Sequence, residues 1–119
     1  MRNEIILRKL RTYSEKVLDY CKGISYAEFI ADSKLVEACV FNLSQMGELC
    51  RAVDRRFAEA TPQIPWNEMY GLRNRIVHDY EGVNLLLVWQ IITEDLQELC
   101  KAVSELIGKP DAECGEKNT

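Results

Sequence analysis

Several features that would define common protein classes are missing from this chain of 119 residues. Nowhere do apolar residues run for the ~18 consecutive positions that a membrane-spanning helix needs. The opening Met1-Arg2-Asn3-Glu4 has no signal-peptide pattern, so a cytoplasmic protein without a membrane partner is expected. The five cysteines, Cys21, Cys39, Cys50, Cys100 and Cys114, form an odd set without a CxxC pair. That argues against a disulfide framework and against a zinc knuckle, so reduced thiols and no metal are expected. Basic residues are also short: 15 Lys and Arg stand against 19 Asp and Glu, a formal net charge of −4. Binding nucleic acid over a broad surface depends on many cations neutralising phosphates, so only a local site is compatible with this balance. Internal repeats, low-complexity segments and strand-type alternation are absent as well. At this length one domain is expected, and 47% hydrophobic residues suffice for a single core.

What is present is helical periodicity. Ile6, Leu10, Tyr13, Val17 and Tyr20 recur at helical spacing, and Gly23 supplies a C-terminal stop. Ser25-Tyr26-Ala27-Glu28 has capping-box spacing, and Asp32 or Ser33 can cap the next helix. From Leu35 to Phe57 the set Val36, Cys39, Leu43, Met46, Cys50, Val53 and Phe57 alternates steps of three and four, predicting one long helix at the centre of the core. Gly47 inside it costs roughly 1 kcal/mol relative to alanine, which calls for a close packing neighbour. Pro62 and Pro65 then break the pattern. A further helix is expected from Pro65 to Gly82, burying Trp66, Met69, Tyr70, Leu72, Ile76 and Val77, with Trp66 a packing anchor rather than a base-stacking platform. Asn84 is expected to cap the last long helix, whose seam is Leu85, Trp89, Ile92, Leu96, Leu99, Val103 and Leu106. Leu86, Val88, Ile91 and Cys100 widen that stripe enough to face a second subunit as well as the core. The expected fold is therefore all-α, an up-and-down bundle of four main helices plus a short one over residues 1–108, with a polar tail over 109–119.

The stretch Gly71-Leu72-Arg73-Asn74-Arg75-Ile76-Val77-His78-Asp79-Tyr80 concentrates the reactive chemistry. It holds the only histidine, two arginines, an amide and a phenol. In a helix, Asn74 and His78 would share a face at i and i+4, so that the amide could hold the imidazole in one orientation. A guanidinium fork fits a phosphate and an imidazole moves protons near neutral pH, so the set can handle a phosphodiester. The same spacing also fits a solvated face with an Arg75–Asp79 pair and a half-buried His78. Arg51 and Arg55, sharing a face at the end of the long helix, and Arg75 could add phosphate contacts if the two helices pack together.

Arg73, four intervening residues, His78, one residue and Tyr80 form a pattern that resembles the signature of HEPN-domain proteins, and more narrowly the HepT toxins. Met46-Gly47-Glu48, Ile64-Pro65-Trp66, Gly71-Leu72-Arg73-Asn74 and Val88-Trp89 lie in family-like places, so the resemblance spans roughly residues 5 to 107. It implies an all-helical HEPN-like homodimer that cleaves RNA without a metal or other cofactor. Arg73, Asn74 and His78 would form the catalytic set. It also implies a neighbouring minimal nucleotidyltransferase antitoxin of the MntA type that transfers AMP to Tyr80. A non-catalytic nucleotide- or partner-binding helical dimer is the competing expectation.

Overall fold

The structure is a computed structural model and describes residues 2–78 and 82–108, with the side chains of Val77 and His78 outside the description. The fold is all-α. Helix α1 (Arg2–Tyr20) is followed by α2 (Tyr26–Ile30), α3 (Ser33–Arg51), α4 (Arg55–Ala60), α5 (Trp66–Tyr70) and α6 (Leu72–Ile76). A two-residue pair, β1 (Val77–His78) with β2 (Gly82–Val83), leads into α7 (Leu85–Gln90), a π-helical turn at Ile91–Asp95, and α8 (Leu96–Ile107). Helix α1 packs against both α3 and α8, while α5 and α6 lie on α3. The expected tail, 109–119, lies outside the described residues, as does Cys114.

Helix starts follow their capping chemistry. The Ser25 hydroxyl accepts from the N–H of Glu28 at 3.1 Å, and the N–H of Ser25 donates back to Glu28 Oε1 at 2.8 Å. Asp32 caps α3 by accepting from the N–H of Leu35, and Asn84 caps α7 by accepting from Leu87, each at 3.1 Å. Satisfying otherwise orphaned N–H groups in this way fixes where each helix begins. Phe29, Leu10, Leu43, Met46, Leu96 and Val103 are among the fully buried side chains at the centre.

Three departures from periodicity shape the molecule. The long central helix ends at Arg51 rather than Phe57, because Asp54 accepts from the N–H of Phe57 at 3.1 Å and starts α4. The helix after Pro65 breaks at Gly71 and ends at Ile76, well before Gly82. Beyond it, Val77 pairs with Val83 and His78 with Gly82 in antiparallel register, and the N–H of Asn84 donates to the Ile76 carbonyl at 2.7 Å. Finally, the π turn inserts one extra residue per turn and rotates the buried stripe of the last helix. Val88, Ile91 and Ile107 join Ile92, Leu96 and Val103 inside, while Leu85, Trp89, Leu99 and Leu106 are only partly buried.

Candidate active site

The connection that carries the site is anchored by Trp66. Its ring is buried, its indole N–H donates to Thr61 Oγ1 at 3.1 Å, and Phe57 packs edge-on with ring centroids 6.2 Å apart. This is the packing anchor expected from the sequence, and it holds α5 against the preceding loop. Met69, buried on the same helix, faces α3 where Gly47 leaves room for the α5 backbone: a Cβ on Gly47 would stand 2.8 Å from the Met69 carbonyl oxygen. Leu72 and Ile76 are buried beyond the Gly71 break. With those side chains inward, Arg73, Asn74 and Arg75 are left exposed on α6.

The structure brings some of the expected site residues together and separates others. Arg73, Asn74 and Arg75 lie on one short helix. Asn74 and Arg75 line an open cavity of about 820 Å3 whose floor includes Leu43, Met69 and Leu96. Glu68, Asp95 and Glu98 also line it, so the cavity is apolar below and mixed in charge at its rim. Asp95 reaches this position from the π turn. His78 does not share a helical face with Asn74, because its backbone lies in β1. The β-branched Val77 and Val83 favour this extended pairing over another helical turn. Asp79 and Tyr80 lie outside the described residues.

Arg51 and Arg55 do not share a helix face either, since α3 ends between them. Arg51 makes an exposed ion pair with Glu48 at 3.5 Å, and its guanidinium lies 5.5 Å from the centroid of the Tyr70 ring. Arg55 makes an exposed ion pair with Glu59 at 3.4 Å within α4. It lines a second depression, next to the first and sharing Pro62, Pro65, Asn67 and Glu68 with it. Arg51 therefore adjoins the end of α5, while Arg55 and Arg75 open onto neighbouring depressions. Tyr70, expected in the buried face, is instead 54% exposed. Its position beside Arg51 was not readable from periodicity, which says nothing about where α3 stops.

Three of the described cysteines are core residues. Cys39 and Cys50 are buried as expected, and so is Cys21, whose Sγ lies 3.6 Å from that of Cys39. Burial raises the thiol pKa of all three, that of Cys50 to about 12. Cys100 is half-buried, its pKa raised mainly by desolvation. Among the described residues, no group of three His, Cys, Asp or Glu side chains is arranged to hold a metal ion. None of the described helices is long and apolar enough to cross a membrane.

Comparison with known proteins identifies a family. The family model described as "Ribonuclease HepT-like" matches residues 10–106. A protein of Caldanaerobacter subterraneus subsp. tengcongensis named "Putative RNase" is 35% identical over 106 residues, covering 83% of this chain and 95% of that protein. Another of the same name from Methanocaldococcus jannaschii is 38% identical over 87 residues, covering 73% and 80%. A Thermococcus cleftensis protein named "Probable ribonuclease HepT" is 29% identical over 85 residues, covering 71% of this chain and 77% of that protein. No solved structure matches. The helical fold and the family match define an all-α, HEPN-type helical domain. The chain belongs to the HepT-like ribonuclease family.

Proposed function

We propose that the chain is the toxin of a toxin-antitoxin pair, a metal-independent endoribonuclease that acts in the cytoplasm. The observation that carries this reading is the exposed Arg73-Asn74-Arg75 run on α6, followed directly by the paired strand bearing His78. In the reaction, a ribose 2′-hydroxyl attacks the adjacent phosphate and the 5′-oxygen leaves, giving a cyclic phosphate. Arg73 stabilises the charge developing on the phosphoryl oxygens, and His78 acts as general base or general acid. Asn74, on the cavity wall beside Arg75, contacts the bound ribose or phosphate instead of orienting the imidazole along a helix. Arg51, Arg55 and Arg75 add charge along the path of the RNA.

In-line cleavage is helped by an acid and a base together, and the chain has one histidine. A homodimer with α6 and its hairpin near the twofold axis supplies a second copy of His78. The partly buried Leu85, Leu87, Trp89 and Leu106, together with Leu86 at 53% exposure, support such an interface. Sedimentation at micromolar protein should therefore give a dimer, and a lone species of 13.7 kDa would contradict it.

Silencing is assigned to a minimal nucleotidyltransferase antitoxin that transfers AMP to Tyr80. The new phosphodiester competes with RNA for Arg73 and Arg75, and the nucleoside adds bulk. Intact-mass measurement after incubation with the partner and ATP should show AMP increments that vanish in Tyr80→Phe. A second reading, a non-catalytic nucleotide- or partner-binding module, draws on the three carboxylates, Glu68, Asp95 and Glu98, that stand with Arg75 around the cavity and disfavour a long polyanion inside it. Labelled RNA incubated with the protein in excess chelator separates the two. Cleavage lost in Arg73→Ala and His78→Ala with folding retained supports the enzyme, whereas cleavage surviving His78→Ala overturns it.

A further inference from the structure

Tyr70 is the exposed aromatic nearest in sequence to Arg73, and it is presented rather than packed. It closes α5, stands three residues before Arg73 and is 54% exposed, while Trp66 and Met69 on the same helix are buried. The Arg51 guanidinium lies 5.5 Å from its ring centroid. That guanidinium belongs to a different helix, so the arrangement comes from the packing of α5 on α3, where Gly47 admits the α5 backbone. Placed over the ring, Arg51 supports one of its faces and brings a cation beside it. Its ion pair with Glu48 has both side chains more than half exposed and is a weak competitor for a phosphate. Tyr70 ends α5 and Arg73 lies on α6 just past the Gly71 break, so the chain holds the two within about 11 Å, the reach of three residues.

Unstacked bases of single-stranded RNA are held by this combination: a π face for the base and a neighbouring cation for its phosphate. We propose that Tyr70, backed by Arg51, is the platform on which a base of single-stranded RNA stacks beside the scissile phosphate. Tyr70 thus positions substrate and selects unpaired over duplex RNA. This inference rests on the ribonuclease reading but concerns binding, so the two can fail separately.

The test uses the full chain, a 5′-labelled single-stranded RNA oligonucleotide, its duplex form, and a matching oligonucleotide carrying 2-aminopurine, whose fluorescence is quenched on stacking. Tyr70→Ala should raise KM for the single strand about ten-fold while kcat falls less than about three-fold. It should also abolish the 2-aminopurine quenching and narrow the preference for single strand over duplex. Tyr70→Phe should restore all three. Tyr70→Leu, which keeps bulk without a π face, should behave like alanine and guards against a folding defect in the smaller variant. If the wild type cleaves RNA and Tyr70→Ala or Tyr70→Leu matches it in KM and quenching, the platform is wrong and the ribonuclease reading stands. If the wild type binds and quenches the probe without cleaving, and Tyr70→Ala loses the quenching, the platform stands and the enzyme falls. A wild type that binds no RNA overturns both. Loss confined to binding of the nucleotidyltransferase would make Tyr70 a protein contact and overturn the proposal.

Discussion

The carbonyl oxygen of Met69 crowds the place where a side chain on Gly47 would begin, only 2.8 Å from the ideal Cβ. Helix α3 and the helix leading to Arg73 thus touch backbone to side-chain position. Any residue larger than glycine must push α5, and with it Tyr70 and α6, away from the core.

Gly47→Ala is therefore expected to destabilise despite alanine's better helix propensity. Overpacking a closed contact costs about 1–3 kcal/mol, and the propensity gain returns about 1 kcal/mol. A lower urea midpoint with an unchanged m-value is the expected result. Cleavage should fall further than the stability loss alone would explain, because Arg73 moves with α5. A midpoint above that of the wild type would show that α5 can shift without cost.

Residues with a strong local preference were legible before the structure. Ser25 with Glu28, Asp32 and Asn84 cap the helices assigned to them, because a side-chain oxygen meeting an orphaned N–H is a local interaction. Gly47 was legible for a related reason, since its helix cost needed a packing explanation. The end of α3 was not. The apolar period runs on through Val53 and Phe57, and only the competing cap at Asp54 stops it. The same holds at Ile91–Asp95, where an unbroken sequence period conceals a π turn that rotates the stripe. At the site, Arg73 and Asn74 fall on a helix as expected, whereas His78 leaves it because Val77 finds Val83 as a cross-strand partner. Tyr70 falls on the buried period of the sequence yet stands exposed, since its surroundings depend on Arg51 from another helix.

With His78 in β1 and Asn74 in α6, substitutions at the two positions should act differently. His78→Ala, which removes both copies from the homodimer, should lower kcat by ~100-fold or more and flatten the pH profile near neutrality, as loss of the general acid and base together does. Asn74→Ala should cost about ten-fold or less and leave the apparent pKa values of the profile unmoved. A displaced pKa in Asn74→Ala would restore the amide as the group that orients the imidazole.

Alkaline pH should unfold the protein through its buried thiols. Burial raises the Cys50 pKa from the usual 9.0 to about 12. Below pH 9 the thiol is protonated in both folded and unfolded chains and contributes no pH dependence. Between about 9 and 12 the unfolded chain has released a proton that the folded chain retains, so unfolding becomes easier by up to about 1.4 kcal/mol per pH unit. The stability present below pH 9 is thus lost as pH rises through the folded value. Comparing Cys50→Ala with the wild type isolates this part of the slope from that of lysines and tyrosines. The variant should lose less stability between pH 8.5 and 10.5, a window of about two units set by the raised thiol. Equal losses would mean that Cys50 does not titrate differently in the two states.

Gly82 fixes the return strand opposite His78, and its φ of +82° is one that residues with a Cβ rarely adopt. Among the described residues nothing lies within 4 Å of a Cβ built there, so Gly82→Ala tests chiefly backbone conformation. The left-handed region costs an alanine about 1 kcal/mol, and global stability should fall by about that amount. Activity should fall by more, about ten-fold or beyond, because a group misplaced by even an ångström forfeits much of its effect. Escape from the strain would slip the register that pairs Val77 with Val83 and His78 with Gly82. Gly82→Asn, whose side chain tolerates a positive φ better, should recover part of both losses. Urea melts and initial cleavage rates on the same three proteins provide the comparison. If Gly82→Ala cleaves as fast as the wild type, the position of His78 does not depend on this hairpin.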